Sequence, residues 1–286
     1  MDRSERGGGG VFVNVWTIAV HELRIGMRNR WAVATTVLLA ALALSITLLG
    51  SAPTGVVKTD PLAVVVVSLS SLTILLVPLI ALMLSFDAIV GEHERGTLAL
   101  LLSYPVARWQ VVVGKILGQT TILGFATVVG YGAAGAALWQ ARAPVQPAWG
   151  AFAAMVGTSI LLGASFVALG CLASTLVRER ATAAGIAVGV WLFFVLLYDT
   201  ALLGMLVADQ GRILGRAALD ALLLLNPADA YRLFNMSASE TVSVYSGMAG
   251  PGDASRLPVG ALLAALVAWV VAPTIAAVAA FRRRAV

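Results

Sequence analysis

Long unbroken apolar runs leave this chain little choice of fold. They lie at residues 31–50, 62–86, 111–138, 151–177, 181–208 and 258–281, and each is near or above the ~20 residues that cross a hydrocarbon layer as a helix. A backbone crosses lipid only as a helix or a closed barrel, because no water is there to satisfy its polar groups. Barrel strands alternate apolar and polar residues, and these runs do not alternate. The expected fold is all-α: a polytopic membrane protein with six transmembrane helices, built as one transmembrane domain over 13–286. No length is left for an extramembrane catalytic domain. Composition agrees, since 60% of the 286 residues are apolar and 12% charged, against about 25% charged in soluble domains.

The net charge of +5 reads as a membrane signal, not a nucleic-acid one. With the N-terminus inside, the inside segments carry Arg3, Arg6, Arg24, Arg28, Arg30, Arg95, Arg108, Lys115, Arg178, Arg180, Arg282, Arg283 and Arg284. The two short outside loops carry only Lys58 and Arg142. Excess Lys and Arg marks the cytoplasmic side, so both termini are expected there. The start, MDRSERGGGG, lacks the apolar stretch and cleavage site of a signal peptide. Residues 1–12 are expected to form a flexible tail. The lone Cys171 excludes an intrachain disulfide and a Cys-cluster metal site.

Ahead of the first run, residues 13–30 have an amphipathic pattern. Trp16, Val20, Leu23 and Met27 form an apolar stripe beside Thr17, His21, Arg24 and Arg28. This pattern predicts an interfacial helix lying flat against anionic lipid headgroups; a plain topology-setting flank is the alternative. Pro78 and Pro273 fall inside spans, where a kink is expected. Gly114/Gly118 and Gly185/Gly189 are GxxxG pairs, suited to close helix packing within the bundle or to a dimer face. Between the last two spans, 212–225 reads as a short helix at the outer interface, ended by Asn226-Pro227, and 237–256 as exposed loop.

Motifs for chemistry on this chain are absent. Gly114-Lys115 is followed by Ile116 and lacks the upstream glycine of a phosphate-binding loop. His21-Glu22 has Ile25 where a zinc-protease motif needs a second His. Glu92-His93-Glu94 cannot converge on one helix face, so no metal site is expected there. Asp199, next to Tyr198, is the clearest ionisable group at membrane depth. It is either a functional contact or a structural carboxylate bonded within the bundle. Asp87 and Lys115 are expected to reach the interface.

The most informative segment is DAIVGEHERGTLALLLSYPVARWQVVVGK, residues 87–115. Gly96 breaks one helical stretch, and Thr97 is the expected N-cap of a short apolar one that Pro105 ends. Glu92, Glu94 and Arg95 lie on the first stretch, and Leu98, Leu100 and Leu101 on the second. Such a compact element suits a socket on a partner protein; a loop helix packed on the bundle is the alternative. The order Glu92/Glu94, Gly96-Thr97, a leucine run, Tyr104-Pro105, Arg108 and Gly114-Lys115 resembles the signature of ABC-2-type permeases. The stretches GVWLFFVLLYD and LNPADAYRLFNMS carry the resemblance further, over about residues 12–286. They bring it nearest to the permeases of complexes that mature the copper sites of nitrous oxide reductase.

That resemblance implies a coupling helix docking on a separate cytoplasmic ABC ATPase, two copies of which bind ATP and magnesium. It implies a homodimer of this chain in the bacterial inner membrane, and a periplasmic solenoid-type partner touching Asn226, Pro227, Asp229, Tyr231, Arg232 and Met236. Copper or a sulfur species is what such a complex would handle. No metal ligand set supports copper directly, and mechanical coupling is the third possibility. Two other readings compete: a generic ABC-2 exporter of drugs, lipids or polysaccharide, and a non-transporting scaffold. An intramembrane enzyme would need polar residues to converge at membrane depth, where the sequence offers Asp199 almost alone.

Overall fold

The computed structural model describes residues 5–28, 30–50, 61–104, 106–140, 148–209, 215–237 and 257–283. Among them every regular element is helical. In chain order these are α1 (Glu5–Arg28), α2 (Arg30–Gly50), α3 (Pro61–Ser85), α4 (Val90–Glu94), α5 (Thr97–Ser103), α6 (Arg108–Gln140) and α7 (Ala148–Leu176). Next come α8 (Arg180–Leu192), a π-helical turn (Phe193–Leu197), α9 (Tyr198–Asp209), α10 (Arg216–Leu224), α11 (Pro227–Ser237) and α12 (Val259–Arg283).

Five stretches among the described residues are long and apolar enough to cross a membrane: Val65–Glu94, Arg108–Ala137, Trp149–Leu176, Arg180–Asp209 and Val259–Arg283. The run expected as the first span is the helix α2, within which Ala34–Leu48 is a shorter apolar stretch. The exposed loop expected over 237–256 falls, after Ser237, outside the described residues.

Central α7 packs against α3, α6 and α12. Leu162, Phe166, Val167, Ala168 and Cys171 on it are fully buried. Two glycines permit this closeness. A Cβ on Gly163 would sit 2.3 Å from Leu123 Cδ2, and one on Gly170 would collide with the Ser85 hydroxyl. Pro78 within α3 takes away the N–H that would serve the Ile74 carbonyl. One residue on, the Trp191 indole N–H donates to the Leu75 carbonyl at 3.0 Å, so a neighbouring helix serves the disturbed turn.

The first helix differs from its expectation. It begins at Glu5, taking in the glycine run expected as a tail, and it does not stand apart from the bundle. It runs lengthwise along α6 in the same direction. A Cβ on Gly114 would meet Ile18, one on Gly118 would meet Glu22 and Ala19, and one on Gly26 would meet Ile122. The Gly114/Gly118 pair is thus a seat for α1. Close backbone approach selects the face with small residues, so Ala19 turns inward, while Trp16 of the expected apolar stripe is 71% exposed.

Candidate functional site

The segment between α3 and α6 is fastened to nearly every helix around it. After Ser85 the helix breaks into a turn, because Ser174 Oγ on α7 accepts the N–H groups of Ile89 (2.9 Å) and Val90 (3.0 Å). The short α4 follows, and Gly96 closes it at φ +69°. That left-handed geometry is cheap only for glycine. Thr97 is not the expected N-cap. Gly96 holds the N-cap position, and Thr97 Oγ1 donates back to the Glu92 carbonyl at 3.2 Å. On α5, Leu98 is fully buried, whereas Leu100 (68%) and Tyr104 (67%) are exposed. Leu101 lies on the same helix, and Pro105 falls outside the described residues. The chain re-enters at α6 with Gln110 Oε1 accepting the Ala107 N–H at 2.9 Å, half of a capping box.

Four charged side chains expected at the docking surface or the interface are bonded to other helices of the chain. Lys115 is buried within the bundle. Its side chain is 4% exposed, and its ammonium donates to Glu22 Oε1 on α1 at 2.5 Å and to Glu92 Oε1 on α4 at 2.6 Å. Glu92 is thereby committed within the protein. Asp87 Oδ2 accepts from Arg180 Nη2 at 2.5 Å, at the start of α8. Arg108 Nη1 donates to the Phe281 and Arg282 carbonyls at 3.2 and 3.0 Å, capping the last turn of α12, and its guanidinium lies 5.9 Å from the Phe281 ring centre. Those carbonyls have no partner within their own helix. Glu94 is exposed, yet its Oε1 accepts the Arg180 N–H at 2.7 Å, a favourable place for an anion at a helix N-terminus. Arg95, Gly96 and Thr97 are exposed beside it.

The result is a division of labour that sequence spacing does not disclose. Acidic and basic groups tie the segment to α1, α6, α8 and α12. An apolar and aromatic tip, Leu100 and Tyr104, stands outward beside the exposed Arg95, Gly96 and Thr97, on a base fixed by Leu98.

A second cluster joins the π-helical turn to α10 and α11. Asn226 caps α11, its Oδ1 accepting the Ala228 N–H at 3.0 Å, with Pro227 in the first helical position. The pair therefore starts a helix as well as following one. Asn226 Nδ2 also donates to Asp229 Oδ2 (2.9 Å) and to the Phe194 carbonyl (3.0 Å), inside the π-helical turn. Arg232 bridges Asp199 (2.8 Å) and Asp229 (3.0 Å). The Tyr198 hydroxyl donates to the Leu222 carbonyl at 2.6 Å. Burial, reinforced by the Asp199 carboxylate and opposed by Arg232, pushes Asp229 up to about 7.

This cluster corrects two expectations. Asn226, Pro227, Asp229 and Tyr231 form no outer contact surface; they are buried, with Arg232 and Met236 partly so. Nor is Asp199 isolated. The Tyr231 hydroxyl meets Ser159 Oγ at 3.0 Å, Asn235 Nδ2 donates to Thr158 Oγ1 at 3.2 Å, and Thr73 Oγ1 meets the Tyr131 hydroxyl at 2.6 Å. Polar residues from α3, α6, α7 and α11 thus converge in the interior. The polar residues of α11, expected from the resemblance to face a partner, serve interior partners instead.

Among the described residues no group of three His, Cys, Asp or Glu side chains is placed to hold a metal ion. Residues 16–286 match the family model described as ABC-2 family transporter protein. The "Probable ABC transporter permease protein NosY" of Pseudomonas aeruginosa is 47% identical over 274 residues, covering 94% of this chain and 98% of that protein. The protein of the same name from Stutzerimonas stutzeri is 42% identical over 273 residues, with the same coverage.

Proposed function

This chain belongs to the ABC-2 transporter family as a membrane permease subunit, and we propose that it couples ATP hydrolysis in a separate cytoplasmic ATPase to maturation of the copper sites of nitrous oxide reductase. The observation that carries the coupling role is the exposed tip of α5. Leu100 and Tyr104 stand outward on an element held by Leu98 and by the ion pairs of Glu92 and Asp87. A rigidly based apolar tip transmits force, where a loose loop would absorb it. Docking residues on this reading are Leu100 and Tyr104, with Arg95, Gly96 and Thr97 around them. Glu92, Glu94 and Arg108 brace the tip from within. ATP and magnesium belong to the ATPase, and the chain itself carries no catalytic step.

The same reading sets α2 as the first of six spans, with both termini cytoplasmic in a bacterial inner membrane. It pairs two copies of this chain with two ATPases. The fifth span fits a homodimer face, because a Cβ on Gly185 or Gly189 would meet nothing within 4 Å and Ile186, Val188 and Leu192 around them are exposed. With α11 folded inward, a periplasmic solenoid partner would engage its Arg232 and Met236 edge. The copper-site assignment rests on likeness to relatives named NosY. Copper, a sulfur species or mechanical coupling alone would serve it equally at this level.

Leu100→Asp places a charge in the docking contact without touching the bracing residues. The variant is expected to insert normally and to lose co-purification of the ATPase. Wild-type co-purification would overturn the docking role. For the pathway, this chain is expected to restore copper loading of nitrous oxide reductase in a strain lacking its own permease gene. An unrestored strain with the complex fully assembled would refute the copper-site assignment and move the chain to a general exporter.

A further inference from the structure

Lys115 joins three elements that are far apart in sequence: α6, which bears it, α1 through Glu22, and α4 through Glu92. Its ammonium is buried, so both pairs are shielded from the water that makes exposed ion pairs weak. Around this node the steric fit of α1 is tight. A Cβ at Gly118 would come within 2.6 Å of Glu22 Cβ, so Glu22 has no slack in which to follow Lys115 by itself. The docking side is equally taut. Thr97 Oγ1 on α5 is bonded to the Glu92 backbone carbonyl, which ties α5 to the backbone of α4.

We infer that Lys115 is a positioning residue: it makes α1 move with the docking segment, so that α1 is the element through which ATPase engagement reaches the first span. The inference rests on the docking role of α5 and adds the route of the motion to it. Among the described residues Glu92 Oε2 is buried with no hydrogen-bond partner, although Glu92 Oε1 is bonded to Lys115, so the Lys115 contact is what offsets the desolvation of this carboxylate. A displacement of α4 is therefore resisted through Lys115 and Glu22.

The experiment uses the full chain bound to its ATPase in lipid nanodiscs. Spin labels are placed at Thr17→Cys on α1 and Ser103→Cys on α5, both exposed positions. The native Cys171 is fully buried and does not compete for label. With Glu22 intact, the distance between the labels is expected to stay the same with and without ATP and magnesium. With Glu22→Gln, α1 no longer follows, and a nucleotide-dependent shift or broadening of that distance is expected. A merely structural role for the node would leave no nucleotide dependence of this kind. Identical behaviour of the two proteins overturns the inference, as does a nucleotide-dependent distance with Glu22 intact. Should Glu22→Gln fail to insert, Glu92→Gln interrogates the same node from the docking side with the same expected shift. Co-purification of the ATPase with each labelled protein, with and without Glu22→Gln, reports separately on docking, so loss of docking is distinguishable from failure of the joint.

Discussion

Removing the Lys115 ammonium tests the buried node energetically. Lys115→Met keeps the unbranched packing stem and most of the length of the side chain but strands two carboxylates. Breaking one side of a buried ion pair costs about 3–5 kcal/mol, because the remaining charge stays desolvated. The Glu22 and Glu92 side chains keep 17% and 19% of their exposure, so water relieves part of that penalty and the lower end, about 3 kcal/mol, applies. At roughly 2–4 °C per kcal/mol for a chain of this size, the melting temperature should fall by about 6–12 °C. The lone Cys171 offers the assay: fully buried in α7, it reacts with a thiol-specific fluorophore only as the bundle opens. Neutralising the partners as well, in Lys115→Met with Glu22→Gln and Glu92→Gln, removes the stranded charges and should recover at least half of the loss. A single variant melting within about 2 °C of the unsubstituted protein would refute the reasoning, since a desolvated node cannot be that cheap to break. A triple variant less stable than the single one would refute it too.

Four further outcomes follow from the packing and charge. Gly118→Ala forces α1 away from α6, since its Cβ would sit 2.9 Å from the Ala19 carbonyl oxygen; a loss of about 1–3 kcal/mol is expected in the same thermal assay. Gly189→Ala has open space around it and should stabilise the protomer by up to about 1 kcal/mol through helix propensity, whereas Gly185→Leu with Gly189→Leu should convert a homodimer to monomers in cross-linking and light scattering. Asp229 has a folded-state value raised to about 7 from 3.8, so its contribution to stability is full below the unfolded value and is lost as pH rises through about 7. Between about pH 5 and pH 9, the unsubstituted protein should therefore lose more stability than Asp229→Asn, by at most about 3 kcal/mol, read as the difference in melting temperature across the pH series.

How much of this was legible beforehand differs between fold and site. The docking segment was readable because its marks are local. Gly96 supplies the positive φ that ends α4, and the leucine run after it makes a short apolar helix. Which side chains of that segment face a partner was not readable. Glu92, Glu94 and Arg108 look like surface charges from their spacing, yet their partners are Lys115, the Arg180 N–H and the carbonyls of Phe281 and Arg282. Those partners lie on other helices, up to 174 residues away along the chain, beyond any periodicity. The same limit explains α11. Its amphipathic pattern states that one face is polar, not whether water or Ser159 and Thr158 will satisfy it.

Sequence by itself determined that this chain is a helical membrane protein with a short broken helix between two spans, because run length and glycine position act within a few turns of one helix. It also carried the family, through a segment whose order of residues is specific. Only the tertiary structure decided that Gly114 and Gly118 seat α1, that Lys115 sits buried between two carboxylates, and that α11 turns inward. Each of these depends on which helix faces which, and the choice falls to close backbone approach and to the cost of leaving a buried charge unpaired.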